Sequence, residues 1–551
     1  MAEVARLIGG AGTGKTTELL RLLAEVVSRG VDPHEIGYIS FTRAARREGA
    51  ARAAEIFGCR IDSLEREGWY RTLHSACYRI LGSPGDILAS GEETRQWLRE
   101  TLQEDISGAV DGEAGHERES TRRTEADYAL AIWSAARNRL VHLAEEWAEV
   151  QRRDPACPSL GYCQRIVDRY ERAKRIEFGR RDYTDLLAGV AGVRFTPSGA
   201  WGLAEPLGQI PSIPVWFFDE QQDTSQLLDA VCRRLIVESG ARWAYIAGDP
   251  FQAIYSFSGA DPSYFRSWRV DRERVMPRSY RCAGEILRLG ERVLSQCNDY
   301  FDRSIAPADH RGVIESASSI AEVANRVDPR ESWLLIARTN AQAMRFRSAM
   351  TALGKPWVPT VGLGGWAAPK KTAAIRAIIS LSEGEAISPV AWVGVLKHIP
   401  ANAGGTKLLE RGTKTRWKGE LSYDDARTAI CLQNIEAVGG TENLRQFVAG
   451  GSWTSCIPGA REFCAARSVY GDPVVNDPRV QIGTIHSAKG AEAENVAFLD
   501  CVSRPIAYAM QSSRRALDEE RRIKYVAITR AKRRLVIVQD RKAAKHPWRT
   551  G

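Results

Sequence analysis

The chain has 551 residues, too many for one ordinary core, so three or four domains are expected. Hydrophobic residues make up 44% and charged residues 26%; no apolar run could span a bilayer, and MAEVARLIGG lacks a basic-then-apolar secretory leader. A net charge of +9 favours polyanionic partners, and eleven scattered cysteines without a CxxC, or a His cluster near Cys157 and Cys163, point to reduced thiols in a cytoplasmic protein without zinc or iron–sulfur.

Residues Val4 to Ile8 read as a short strand, followed by GGAGTGKTT and a helical pattern, ELLRLLAEVV. Gly9, Gly14, Lys15 and Thr16 fit G-x-x-x-x-G-K-[ST]. Glycines let backbone N–H groups converge on phosphate oxygens, and the helix starting near Gly14 directs its dipole at the same anion. Gly9, Gly10, Ala11, Gly12, Thr13, Gly14, Lys15, Thr16 and Thr17 are therefore candidate nucleotide contacts. Lys15 would reach the β- and γ-phosphates, and the Thr16 hydroxyl would face Mg²⁺.

Further on, YISFTRAARREGAARA (Tyr38 to Ala53) reads as a strand followed by a basic helix, and RTLHSACYRIL (Arg71 to Leu81) follows. Helical periodicity then dominates, as in YALAIWSAARNRLVHLAEEWAEV. The stretch VWFFDEQQDTSQ (Val215 to Gln226) ends a buried strand in adjacent acids. Two readings fit it. Asp223 or Ser225 could cap the next helix. Alternatively, Asp219 supplies the carboxylate that a phosphate-bound Mg²⁺ needs, and Glu220 orients or deprotonates the attacking water. WAYIAGDPFQAIYSFSGAD (Trp243 to Asp261), RSYRC (Arg278 to Cys282), VQIGTIHSAKGAEAENVAFLD (Val480 to Asp500) and EERRIKYVAITRAKRRLVIV (Glu519 to Val538) complete the series.

In this order the segments resemble the motifs of superfamily 1 helicases of the UvrD/Rep/PcrA type, from Gly9 to about Val538. The resemblance implies an α/β fold: two RecA-like P-loop domains, each a parallel sheet flanked by helices, with two mainly helical inserted subdomains. The first RecA-like domain would use residues 1–84 and 205–277, with 85–204 as its insert. The second would use 278–385 and 475–551, with 386–474 as a short insert. With the last motif so close to the end of the sequence, a fused C-terminal nuclease is not expected.

The same resemblance implies ATP and Mg²⁺ as cofactors. Arg281 and Arg530 match arginine fingers, Gln252 the glutamine that senses the γ-phosphate, and Tyr280 a residue that stacks on the base. Gly490 and Glu492 match a nucleotide-contacting element, and DEQQD matches DExxD with Asp219 on Mg²⁺ and Glu220 as base. Phe41, Thr42, His74, Tyr255, Phe257, Thr484 and His486 match single-strand contacts, and Arg43 would add a phosphate contact. The implied partners are single-stranded DNA and 3′-tailed duplex DNA, with movement 3′→5′. Three departures stand out. No glutamine precedes Gly9 to read adenine, Gln221 replaces an aromatic or aliphatic residue, and Ser256 and Ser258 stand where relatives often have basic residues. RDYTDLL (Arg181 to Leu187) is a softer match beside the first insert. The rival reading is a DNA-stimulated ATPase that strips bound proteins or acts as a switch subunit of a nuclease or defence complex.

Overall fold

The computed structural model describes residues 2–41, 43–88, 92–106, 124–361, 365–366, 369–418, 429–542 and 546–549. β1 (Glu3–Ile8) runs into the glycine turn and α1 (Lys15–Ser28). β2 (Ile36–Ser40), α2 (Arg43–Phe57), β3 (Trp69–Thr72) and α3 (Leu73–Ile80) follow. β4 (Val215–Phe218), β5 (Trp243–Gly248) and β6 (Arg272–Val275) complete a six-stranded sheet in the order β3-β2-β4-β5-β1-β6. Its pairings are all parallel.

Every residue of β2 and β4 is buried, which explains why VWFF carries no polar alternation: both faces of a parallel sheet are covered. The two-residue period still sorts the side chains. Trp216 and Phe218 join Trp69, Ile39 and Ile8 in one core, while Val215 and Phe217 join Tyr38, Ile36 and Leu7 in another.

The segment 85–204 is mainly helical, with one short antiparallel strand pair (Val193–Phe195 and Trp201–Leu203). It contains α4 (Glu92–Leu102), α5 (Glu125–Arg139), α6 (Leu143–Arg153), α7 (Leu160–Arg172) and α8 (Tyr183–Ala191), with a turn of π-helix at Ala173–Glu177. Thr124 and Asp127 form a capping box that starts α5, and Asp182 and Asp185 form another that starts α8. A fully buried ion network ties these helices together. Arg137 Nη1 donates to Asp182 Oδ2 at 2.6 Å, Lys174 Nζ donates to the same oxygen at 2.7 Å, and Trp133 Nε1 donates to Glu171 at 2.7 Å. Burial alone would raise the Asp182 pKa, but Arg137 and Lys174 hold it well below the usual carboxylate range.

After α9 (Gln226–Glu238) and α10 (Gly284–Leu294) comes the second six-stranded sheet. Its strands are β7 (Val313–Ala317), β8 (Trp333–Ala337), β9 (Val358–Pro359), β10 (Val480–Thr484), β11 (Ala493–Leu499) and β12 (Ala531–Val538), in the order β9-β10-β8-β11-β12-β7. Helices α11 (Arg504–Ser512) and α12 (Arg514–Ile528) precede β12.

The chain divides into two compact units. One comprises Met1–Ser319, Ile336–Gln342 and Thr484–Gly551; the other comprises Ile320–Leu335 and Ala343–Gly483. The second unit has its own core, in which helices Pro389–Leu396 and Ala460–Tyr470 contribute Trp392 and Phe463 beside Trp417 and Trp453. Among the described residues no helix is long and apolar enough to cross a membrane. All eleven cysteines are free.

Candidate active site

The candidate residues of the first sheet follow the C-terminal ends of its parallel strands, where open α/β sheets bind ligands. The glycine turn follows β1, Phe41 follows β2, His74 follows β3, Asp219 and Glu220 follow β4, and Gln252 follows β5. Everything described in this subsection lies within the first compact unit.

In the glycine turn, Gly12 adopts φ +67°, and a Cβ there would lie 2.2 Å from Arg281 Cβ, so only glycine fits. The Lys15 side chain is buried, and its ammonium donates to the carbonyls of Gly9 (3.0 Å) and Gly10 (3.3 Å). Thr13 Oγ1 donates to Gly10 O at 3.0 Å, bracing the turn.

The Thr16 hydroxyl donates to Asp219 Oδ2 at 2.7 Å, and the Tyr38 hydroxyl to the same oxygen at 3.1 Å. Burial, reinforced by the Glu220 charge, pushes the Asp219 pKa up to about 6. The Thr16 and Asp219 oxygens are the hard donors that Mg²⁺ takes from a protein while keeping water and phosphate as its other ligands. Among the described residues, no group of three or more His, Cys, Asp or Glu side chains could hold a metal by itself.

Glu220 sits at φ 57°, a left-handed conformation that costs a non-glycine residue energy. Its carboxylate accepts from the side-chain amide of Gln222 at 2.5 Å. Burial would raise the Glu220 pKa, but Lys15 and Lys489 outweigh it and keep the group ionised, as a base must be. Asp223 pairs with Lys489 at 2.5 Å, yet burial still lifts it to about 7.

Three elements from the second half meet this surface. Arg530, at the end of α12, is buried; its Nη2 donates to Gln252 Oε1 at 3.0 Å and its Nη1 to Ala491 O at 3.2 Å. Burial and the neighbouring Arg281 lower the Arg530 pKa to about 10, still leaving it cationic at neutral pH. Arg281 lies against Gly12 and donates to Glu492 at 2.5 Å. Tyr280 is 72% exposed, with the Arg278 guanidinium 5.9 Å from its ring centroid, and its N–H donates to Gly12 O at 2.8 Å. Gly490, at φ +88°, turns the chain just before Ala491 and Glu492. Beside these residues opens a cavity of about 310 Å³ lined by Gly12, Tyr280, Arg281, His310, Glu492 and Lys532.

The candidate strand contacts form an aromatic cluster. Phe257 is 46% exposed, with its ring centroid 5.7 Å from that of His486 and 6.0 Å from that of Tyr255. Tyr255 and His486 are buried beneath it, and His486 Nε2 bonds Ile254 O at 3.2 Å. Thr484 is buried and hydrogen-bonds Ser487. Ser256 is held from two sides: its hydroxyl donates to Glu519 of α12, and Arg139 of α5 donates to its carbonyl. His74 is half-buried and meets the Tyr183 ring edge-on at 6.2 Å, while Phe41 packs against the first core. Thr42 lies outside the described residues, as does the side chain of Arg43, which begins α2.

Four residues of this site carry no role in the sequence reading: Lys489, Asp249, Arg303 and Tyr525. Lys489 and Asp249 stand inside HSAKG and GDPFQ, where a charge amid small residues was a usable signal. Tyr525 looks like one more apolar position of α12, and Arg303 belongs to no motif-like segment.

A glycine turn of P-loop pattern after β1, met by Arg281 and Arg530 from the half of the chain that carries the second sheet, fits a P-loop ATPase with two RecA-like cores. The chain belongs to the UvrD-like helicase family. The UvrD/REP helicase N-terminal domain matches residues 2–272, and the UvrD-like helicase C-terminal domain matches residues 471–542. The chain is similar to the ATP-dependent DNA helicase UvrD2 of Mycobacterium tuberculosis, with 23% identity over 584 residues, covering 96% of this chain and 76% of that protein. It is also similar to the ATP-dependent DNA helicase PcrA of Bacillus subtilis, with 22% identity over 628 residues, covering 96% of this chain and 80% of that protein.

Proposed function

We propose that this UvrD-like helicase is an ATP- and Mg²⁺-dependent motor that moves 3′→5′ on single-stranded DNA and separates the duplex of a 3′-tailed substrate. The observation that carries the proposal is the bond from Arg530 Nη2 to Gln252 Oε1, together with the seating of Arg281 against Gly12. These contacts support a reading in which two guanidinium groups of the second half stabilise phosphate charge beside the glycine turn.

In this reading the ATP phosphates replace the Gly9 and Gly10 carbonyls as partners of Lys15, and Tyr280 stacks on the base. Thr16 and Asp219 hold Mg²⁺, which when bound neutralises charge on the phosphate oxygens. Glu220 orients and deprotonates the attacking water. Arg530 and Arg281 stabilise the transition state only when the two halves meet, which makes hydrolysis dependent on closure. Phe257 stacks on bases without regard to sequence, as a stepping motor requires. Tyr255 and His486 support its ring.

ATP hydrolysis with and without single-stranded DNA, with Glu220→Gln as control, tests the proposal. Strong stimulation that vanishes in the control, followed by unwinding of a 3′-tailed but not a 5′-tailed duplex, is the expected result. ATP binding without DNA stimulation would overturn it.

A further inference from the structure

Behind the candidate catalytic groups runs a buried circuit that the roles above leave unused. Arg303, 3% exposed, donates through Nη1 to Asp249 Oδ1 at 2.6 Å and through Nη2 to Glu291 Oε1 at 2.5 Å and to the Tyr525 hydroxyl at 3.3 Å. Asp249 Oδ2 in turn accepts from Gln252 Nε2 at 2.8 Å, and Gln252 accepts from Arg530. On the other side, the Ala11 N–H of the glycine turn donates to the Tyr525 hydroxyl at 3.3 Å, and the Ser279 hydroxyl donates to the Ala11 carbonyl at 2.7 Å. One residue of the candidate phosphate cradle, Ala11, is thus held through both its N–H and its carbonyl by the second half of the chain.

The packing is as close as the bonding. A Cβ on Gly10 would lie 2.5 Å from Ile305 Cδ1, 3.3 Å from the Tyr525 hydroxyl and 3.4 Å from Arg303 Nη1. The turn that delivers Arg303 is itself strained. Ser304 sits at φ 49°, held there by its N–H bond to Asp302 Oδ1 at 2.8 Å. A buried guanidinium that meets two carboxylates, a tyrosine and the Phe251 face (4.7 Å) is fixed in place rather than free to swing.

We propose that Arg303 and Tyr525 are positioning residues of the ATPase cleft, an inference that rests on the function proposed above. Through Asp249 they set the angle of Gln252 and thereby of Arg530; through Ala11 they set the backbone of the phosphate cradle. Neither touches the phosphates. Their loss leaves nucleotide binding in place and misaligns the groups that act in the transition state, so the effect falls on kcat rather than KM.

The test uses the full chain and Tyr525→Phe, which keeps the ring and removes only the hydroxyl shared by Arg303 and Ala11. Steady-state hydrolysis at saturating single-stranded DNA, equilibrium binding of a fluorescent ATP analogue and thermal melting are measured together. The expected result is a fall in kcat on the order of tenfold, with KM for ATP, analogue affinity and melting temperature close to wild type. Arg303→Lys, which keeps the charge but not the fork, should lie between wild type and Arg303→Gln in kcat. The double variant Tyr525→Phe/Arg303→Lys should lose less than the product of the single losses, because both act through one circuit.

An unchanged kcat in Tyr525→Phe overturns the positioning role alone. Parallel losses of kcat, analogue affinity and melting temperature also overturn it, because they describe a purely structural bond. A wild type that binds the analogue but hydrolyses no ATP defeats the proposed function and this inference with it.

Discussion

Tyr38→Phe isolates the energetics of the carboxylate assigned to Mg²⁺. Asp219 is raised from its ordinary 3.8 to about 6, chiefly by burial and then by the Glu220 charge, against the opposing bonds from Thr16 and Tyr38. The sign follows from linkage. A carboxyl raised in the folded state contributes stability that is fully present below about 3.8 and is lost as pH rises through about 6. At 1.36 kcal/mol per pH unit, the ionised group costs the fold about 3 kcal/mol above that range. Tyr38 donates to Oδ2 at 3.1 Å, and a bond to a charged acceptor exceeds one to its neutral form by about 1–2 kcal/mol. Removing the hydroxyl should therefore raise the Asp219 pKa by about one further pH unit. The assay is kcat/KM for ATP from pH 5 to 8.5 at saturating single-stranded DNA, which reports the free enzyme. The acid limb should move from about 6 to about 7, with most activity recovered at pH 8.5. Thermal unfolding should show a deficit of about 1–2 kcal/mol above pH 7 that vanishes near pH 4. An acid limb that stays in place, or a variant slowed by one factor at every pH, would refute the reasoning.

Arg530→Ala should leave nucleotide affinity nearly intact while hydrolysis falls by about 10³-fold or more, since the group acts on transition-state charge; equal losses of binding and turnover would exclude a finger role. Phe257→Ala should weaken single-strand binding by about 1–3 kcal/mol and leave basal hydrolysis unchanged, and wild-type affinity should fall steeply with salt; a flat salt response in titrations contradicts a DNA track. Asp182→Asn should cost about 1.5–3 kcal/mol of stability in chemical denaturation, because it weakens two charged hydrogen bonds in a buried site where Glu171 and Asp185 still face Arg137 and Lys174.

Much of this was legible in the sequence because local chemistry fixed it. VWFF is a strand buried on both faces, and GGAGTGKTT ends β1 and opens α1 at Lys15. The order of the motif-like segments carries the family resemblance in the sequence itself. What stayed hidden is contact between distant segments. Arg303 and Asp249 are 54 positions apart, and Ala11 and Tyr525 are 514 apart; no periodicity links them. Orientation was equally hidden. Tyr255, Thr484 and His486 read as strand contacts alongside Phe257, but the structure buries all three and leaves Phe257 half exposed. The departure at Ser256 also acquires a physical sense only in three dimensions, where Arg139 donates to its carbonyl and its hydroxyl donates to Glu519.

Two stretches with the same look, RRDYTDLL and FFDEQQD, show why burial alone does not separate structure from function. Both place an aspartate beside apolar residues, and both aspartates are buried. In the insert, Asp182 accepts from Arg137 and Lys174, and its pKa is driven down; the buried charge is compensated and ties helices together. In the cleft, Asp219 accepts from two neutral hydroxyls, while the nearby Lys15 ammonium bonds loop carbonyls; its pKa is driven up. Glu220 next to it is held in a strained backbone conformation. A fold gains nothing from an acid kept in this way, because a neutral, hydrogen-bonded side chain of similar size would cost less. Such a charge fits the proposed role at Mg²⁺, where a cation would share it. Asp223 differs, because Lys489 already partners it, yet burial still raises it to about 7. The end of β4 thus carries two raised acids, Asp219 and Asp223, beside an ionised Glu220, which supports the catalytic role proposed for it.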